Sequence, residues 1–194
     1  MNPIRTRYLD VGGVRVYCRY SDGDGPAVVL LPGGMLDTST LTWRYTLDAL
    51  PPRWRVFAPD LPGYGRSAKP DVSYSTAYYV DFLAAFLDAL GLRRAHLCGS
   101  SMTGAVVLGL ALRAPERAAS VVLSGAYGMQ PRVPLHPLVY LLAHVPGLPV
   151  LTRAVLRGGP RVMRLALRFA VPDPRAIGSD LVRDACEGVA HDGQ

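Results

Sequence analysis

Residues Ala95 to Cys98 form a short apolar strand-like run. Gly99-Ser100-Ser101-Met102-Thr103-Gly104 follows at once, and an apolar helical run then continues to Ala114. No loop separates the two periodicities, so the chain must turn from strand into helix within a residue or two, with Ser101 at the tip. A serine in so sharp a turn is forced toward positive φ, a strain of about 1–3 kcal/mol that persists only where the surrounding fold holds it. Such a turn needs small neighbours, and Gly99, two residues before, and Gly104, three after, supply them. The helix opening at Met102 aims its unpaired N–H groups back at the turn, where they favour negative charge. Thr103 stands one residue before Gly104, so this helix is expected to pack closely around a β-branched side chain.

The remaining chain is organised to match. Arg5 to Asp10 and Val14 to Tyr20 alternate around Val11-Gly12-Gly13, a hairpin pattern. Ala27 to Leu31 is an unbroken apolar run of the kind buried on both faces of a sheet. A helix is predicted over Thr42 to Leu50, a strand over Arg55 to Ala58, and a helix over Ser75 to Leu90, capped by Ser75 and ended by Gly91. A further strand covers Ala119 to Leu123. Strands alternating with helices at this spacing predict an α/β fold, a doubly wound and mostly parallel sheet. Beyond Gly125 prolines multiply and strand signals stop. Short helical pieces are predicted at Leu138 to Ala143, Val150 to Arg157, Pro160 to Val171 and Ser179 to Val189. The expected division is a sheet-and-helix core over residues 1–126 and a helical lid over residues 127–194.

Composition narrows the function. The chain has 194 residues, enough for one sizeable core, and its net charge of +6 is carried almost wholly by arginine, since Lys69 is the one lysine. The arginines spread from Arg5 to Arg183 without a run or interleaved aromatics, so nucleic-acid binding is not expected. Cys18, Cys98 and Cys186 have neither metal-site nor disulfide spacing, which suits a reduced, cytoplasmic setting. No apolar stretch is long enough to cross a bilayer and no apolar leader core follows the N-terminus, so a membrane role is not expected. Arg153, Arg157, Arg161, Arg164 and Arg168 recur at helical spacing opposite Val162, Leu165, Ala166 and Phe169. This stripe is a solvated face, meets further parts of its own protein, or lies on an anionic membrane surface, although Gly158-Gly159-Pro160 interrupts it.

The chain resembles the α/β-hydrolase family, over about Val14 to Gly125. Three separated motifs carry the likeness. Leu30-Leu31-Pro32-Gly33-Gly34 is similar to the family's oxyanion loop, Ala58-Pro59-Asp60-Leu61-Pro62-Gly63-Tyr64-Gly65-Arg66-Ser67 to its loop after the fourth strand, and Gly99-Ser100-Ser101-Met102 to its nucleophile elbow. Each falls at the carboxyl end of a predicted strand, the edge where parallel sheets bind ligands. The resemblance is closest to the capped esterase, lactonase and carbon–carbon-bond hydrolase branch. It implies Ser101 as nucleophile and the N–H groups of Gly34 and Met102 as an oxyanion hole, with Gly33, Gly99 and Gly104 supporting the turns. It also implies a small apolar carbonyl substrate and no metal or other cofactor. A serine at the elbow, where an aspartate would stand, weighs against the epoxide hydrolase and haloalkane dehalogenase branches.

Two departures from the family pattern matter. Pro32 stands where a histidine commonly opens the oxyanion loop. The family's acid and histidine lie beyond the cap, whereas this chain stops within it, so a truncated product is expected, impaired in turnover. Its strand around Val121 to Leu123 would then be an open edge prone to self-association. Of the four histidines, His96 lies in the strand before the elbow and reads as a satisfied core residue. His136 and His144 fall in the lid beside prolines, and His191 lies near the end. None is an obvious base for Ser101. Asp60 reads as a capper of backbone N–H groups rather than a catalytic acid, and Ser124, where some relatives carry an acid, has no carboxylate. Met129, Leu138, Tyr140 and Leu141 suit an apolar pocket lining or ordinary packing. A non-catalytic binder of small ligands, or an enzyme completed by a second polypeptide, are the other readings open to such a chain.

Overall fold

The computed structural model describes residues 3–34, 37–129, 145, 147, 151, 154–171 and 173–191. The chain forms two compact units, Met1–Met129 and Gln130–Gln194.

The first unit opens with a hairpin of β1 (Arg5–Val11) and β2 (Val14–Ser21), paired antiparallel across Gly12 and Gly13. Both glycines have positive φ, 61° and 85°, as a two-residue hairpin turn with the right twist requires. β3 (Ala27–Leu31) is buried along its whole length. Its side chains alternate between two cores, with Val29 and Leu31 in the larger and Val28 and Leu30 in the smaller. That two-sided burial is why the run is apolar throughout rather than alternating.

Helix α1 (Ser39–Ala49) begins three residues before the predicted Thr42 because the Thr38 side chain accepts the Leu41 N–H at 3.2 Å and caps it. After β4 (Arg55–Pro59) comes α2 (Thr76–Ala89), capped as expected by Ser75. It buries Tyr79, Val80, Phe82, Leu83, Phe86 and Leu87, one face of the larger core. β5 (Ala95–Ser100) runs two residues further than its apolar stretch and leads through Ser101 into α3 (Met102–Arg113). A 3-10 turn, Pro115–Arg117, then feeds β6 (Ala118–Ser124).

These strands form one six-stranded sheet in the order β1-β2-β4-β3-β5-β6. The pairs β3–β4, β3–β5 and β5–β6 are parallel, while β2 is antiparallel to both its neighbours. Among the described residues β6 is the outer strand, and its Val122 is 52% exposed.

In the second unit, α4 (Pro160–Ala170) starts at Pro160, after Gly159 at φ 98°, and α5 (Ser179–His191) follows a 3-10 turn at Pro174–Ala176. Gly159 therefore breaks the arginine stripe, as the sequence suggests. Met163, Ile177, Val182, Ala185 and Val189 are buried, and the Arg164 guanidinium donates to the Ile177 carbonyl at 2.9 Å. Leu165 departs from its expected apolar face, being exposed like Arg161 and Arg168. The predicted helix at Leu138 to Ala143 lies outside the described residues. Of Val150 to Arg157, residues 151 and 154–156 are helical among those described. Among the described residues no helix is long and apolar enough to cross a membrane.

Candidate active site

The turn between β5 and α3 has the geometry its sequence demands. Ser101 adopts φ 51° and ψ −117°, and is the one non-glycine residue with positive φ among those described. Hydrogen bonds on both sides hold it there. Its N–H donates to the Ser124 carbonyl at 2.9 Å, and its own carbonyl accepts from Gly104 N at 3.1 Å and Tyr127 N at 2.9 Å. The side chain is exposed. A Cβ on Gly99 would overlap the Thr103 carbonyl, and one on Gly104 would overlap the Ala126 Cβ and stand 2.9 Å from its Cα. Both glycines are thus set by close backbone approach.

Thr103 does more than fit. Its side chain is fully buried, and Oγ1 accepts the Ser100 N–H at 3.0 Å. The same oxygen lies 2.8 Å from the Pro32 carbonyl, 3.1 Å from that of Leu31 and 3.0 Å from that of Ser100, which compete for its one proton. The hydroxyl therefore ties the start of α3 to the end of β3. Position 103 carries a hydroxyl because its oxygen closes this junction, a role that spacing alone did not indicate.

The same junction brings Gly33 and Gly34 against the elbow. A Cβ on Gly33 would sit 3.5 Å from the Ser101 Cβ, and one on Gly34 would sit 3.2 Å from Met102 Sδ. Gly33 N–H donates to Asp37 Oδ2 at 2.8 Å, and Thr38 N–H donates to Asp37 Oδ1 at 2.9 Å. Gly34 N–H has no hydrogen bond to a described residue. Burial raises the Asp37 carboxyl above its ordinary range. The Thr42 hydroxyl and the Gly33 and Thr38 N–H groups pull it back, and the Asp60 charge adds a smaller upward push. Asp37 was not among the sequence-predicted site residues, and its only sequence signal is an acid placed four residues after Gly33.

Asp60 is where the sequence expects a capper. It is buried, with Oδ1 accepting from Ser39 N at 2.8 Å and Ser39 Oγ at 2.7 Å, and Oδ2 accepting from Arg66 N at 3.0 Å. A Cβ on Gly65 would overlap Oδ2, which explains the glycine in that loop.

A strand-to-helix turn with a strained serine, a glycine loop pinned beside it and a buried aspartate bracing the neighbouring loop coincides with a match of residues 26–162 to the α/β hydrolase fold family model. The chain belongs to the α/β-hydrolase fold family. Over 124 residues it is 35% identical to 2-hydroxymuconate semialdehyde hydrolase of Pseudomonas sp. (strain CF600), covering 63% of this chain and 44% of that protein. Over 93 residues it is 42% identical to a haloalkane dehalogenase of Mesorhizobium japonicum (strain LMG 29417 / CECT 9101 / MAFF 303099), covering 48% and 29%. Among solved structures, a meta-cleavage product hydrolase from Pseudomonas fluorescens IP01 is similar at a TM-score of 0.75 and 27% identity, over 97% of this chain and 64% of that one. The chain spans less than half the length of these two curated relatives.

Within this α/β-hydrolase site the histidines distribute unevenly. His96 is half-buried on β5, with Nδ1 2.8 Å from Ser120 Oγ and its ring stacked on Trp54 at 6.0 Å between centroids. It is a satisfied residue, and five residues of extended strand, about 16 Å, separate it from Ser101. His136, His144 and the side chain of His191 lie outside the described residues, as do Leu138, Tyr140, Leu141 and Arg153. Met129 is exposed. Burial pushes the Cys18 thiol up to about 12 and also raises Cys98, so both are thiols rather than thiolates at neutral pH. Among the described residues no cluster of His, Cys, Asp and Glu is arranged to hold a metal ion.

Proposed function

We propose that this chain carries the nucleophile and oxyanion loop of a hydrolase that cleaves an ester, a lactone or a carbon–carbon bond next to a carbonyl in a small apolar substrate. The observation that carries the reading is the exposed Ser101 hydroxyl at a strained turn, directly before the first N–H groups of α3 and beside the Gly33-Gly34 loop. Ser101 Oγ attacks the carbonyl carbon and gives its proton to a base, while the carbonyl oxygen takes the negative charge. The N–H groups of Met102, at the first turn of α3, and of Gly34 are the donors for that oxygen. Collapse of the tetrahedral species expels the leaving group, which takes up a proton, and water then releases the acyl group from Ser101. The likeness to hydrolases of meta-cleavage products supports the carbon–carbon variant of this chemistry. The hydroxyl at position 101 weighs against dehalogenase chemistry, despite the identity to a haloalkane dehalogenase.

The described residues place no histidine beside Ser101, and His96 is engaged with Ser120. Loss of the base from such a site costs about 10⁶-fold in turnover, leaving only the contribution of binding and the oxyanion hole. A probe with a phosphorus–fluorine bond reports on the Ser101 hydroxyl in a single step, phosphonylation of the oxygen with loss of fluoride, and needs no complete turnover. Treated with a fluorophosphonate, the chain is expected to gain one adduct on the peptide holding Ser101, and a Ser101→Ala variant none. Binding of apolar carbonyl compounds with no adduct at Ser101 would replace this reading with that of a ligand-binding protein.

A further inference from the structure

We infer that Asp37 is a positioning residue for the oxyanion loop: its carboxylate fixes the Gly33 N–H, so that the neighbouring Gly34 N–H is the loop's donor to the substrate oxygen. The inference deepens the hydrolase reading and rests on Ser101 as the nucleophile. Two adjacent glycines have more conformational freedom than any other pair, and a donor displaced by about 1 Å loses much of its value, on the order of 10²-fold in rate. Something must hold this pair. Pro32 has no side-chain donor or acceptor, so the residue opening the loop cannot. Asp37 bonds at both ends of the segment, to Gly33 N at 2.8 Å and to Thr38 N at 2.9 Å, and its own N–H meets the Gly34 carbonyl at 3.4 Å. A Cβ on Gly33 would lie 2.7 Å from Asp37 Oδ2, so the carboxylate approaches to a distance only glycine permits. Because Thr38 in turn caps α1, the loop is referenced to a rigid element and, through Thr103, to the elbow itself.

The charge on Asp37 matters as well as its position. Burial favours its neutral form, the bonded N–H groups and the Thr42 hydroxyl favour the anion, and the Asp60 carboxylate is the charged group acting on it from the neighbouring loop. Protonation consequently begins at a higher pH than for an ordinary carboxylate, and weakens the charge-assisted bond to Gly33. As pH falls through that raised range, the loop loosens and acylation of Ser101 slows.

The test combines rates of Ser101 phosphonylation by a fluorophosphonate, the surrogate for acylation and read by intact mass, with ¹⁵N–¹H spectra of Gly33 and Gly34 across pH. It uses the full chain and its Asp37→Ala and Asp37→Asn variants. Asp37→Ala is expected to slow acylation by about 10- to 100-fold. Asp37→Asn, which retains an oxygen acceptor, is expected to restore most of the rate but to lose the acid limb assigned to Asp37. In the unsubstituted chain the Gly33 and Gly34 amides should titrate together, with a midpoint above the ordinary carboxylate range. A Gly33 amide indifferent to Asp37, or an Asp37→Ala variant with unchanged Gly34 resonance and unchanged acylation, would overturn the inference. Absence of acylation in the unsubstituted chain would instead remove the hydrolase reading, and the paired amide titration would still decide whether Asp37 holds the loop.

Discussion

Ser101 and Thr103 stand two residues apart and use their hydroxyls in opposite ways: one is held exposed by backbone bonds to Ser124, Gly104 and Tyr127, the other is buried and spent on the carbonyls of Leu31, the last residue of β3, and of Pro32 after it. The first was legible in the sequence because a strained turn requires small residues at fixed offsets, which leaves the Gly99 and Gly104 signature. The second was not, because its partners Leu31 and Pro32 are some seventy residues away and no local pattern encodes them. Asp37 escaped for a related reason, since an isolated acid after a glycine pair looks the same whether it faces solvent or accepts a backbone bond. The strain at Ser101 makes its own prediction. Glycine tolerates φ 51°, ψ −117° without the Cβ penalty, which is worth about 1–3 kcal/mol, although glycine also loosens the unfolded chain by up to about 1 kcal/mol. Ser101→Gly is therefore expected to stabilise the chain by about 0.5–2 kcal/mol in denaturant unfolding, whereas Ser101→Ala, which keeps the Cβ, is not. Equal stabilities for the two variants would mean that the strain at the turn is no larger than the roughly 1 kcal/mol that glycine gives up through the unfolded chain.

Elements were predictable where their periodicity was strong. The run from Ala27 to Leu31 became a strand buried on both faces, and α2 presents the apolar face expected of it. The start of α1 was misplaced because helix onset depends on which side chain caps the first turn, and Thr38 takes that role before any apolar repeat begins. α3 is the element on which the site depends most, and its two internal glycines differ. Intrinsic propensity would favour alanine at both by about 1 kcal/mol. At Gly104, however, a Cβ meets the backbone as well as the side chain of Ala126, while at Gly109 it meets one methyl of Val80 at 2.9 Å. Backbone cannot rotate away, so Gly104→Ala should lower stability by about 1–3 kcal/mol, or several degrees in Tm. Gly109→Ala should cost less. Thermal scans of the two variants measure this directly, and a Gly104→Ala variant as stable as the parent would show that the helix docks more loosely than the contact with Ala126 indicates.

At the level of the whole chain, what decides autonomy is where the cores close. Every buried residue of the larger cluster falls between Val11 and Leu110, and every one of the smaller between Val28 and Ala58. The six strands, the three helices packed on them and the bonds that fix Ser101 all lie within Met1–Met129. Beyond it Met163, Val182 and Val189 are also buried. A sheet covered on both faces by its own helices meets the usual requirement for independent folding. Among the described residues β6 is the outer strand, and its Val122 is exposed. A polypeptide of residues 1–129 is therefore expected to unfold in one cooperative transition, with far- and near-ultraviolet circular dichroism changing together, and to retain fluorophosphonate labelling at Ser101. Loss of the near-ultraviolet signal alone, at dilutions where the polypeptide is monomeric, would mean that the larger core needs the helices that follow residue 129 to settle into a single packing.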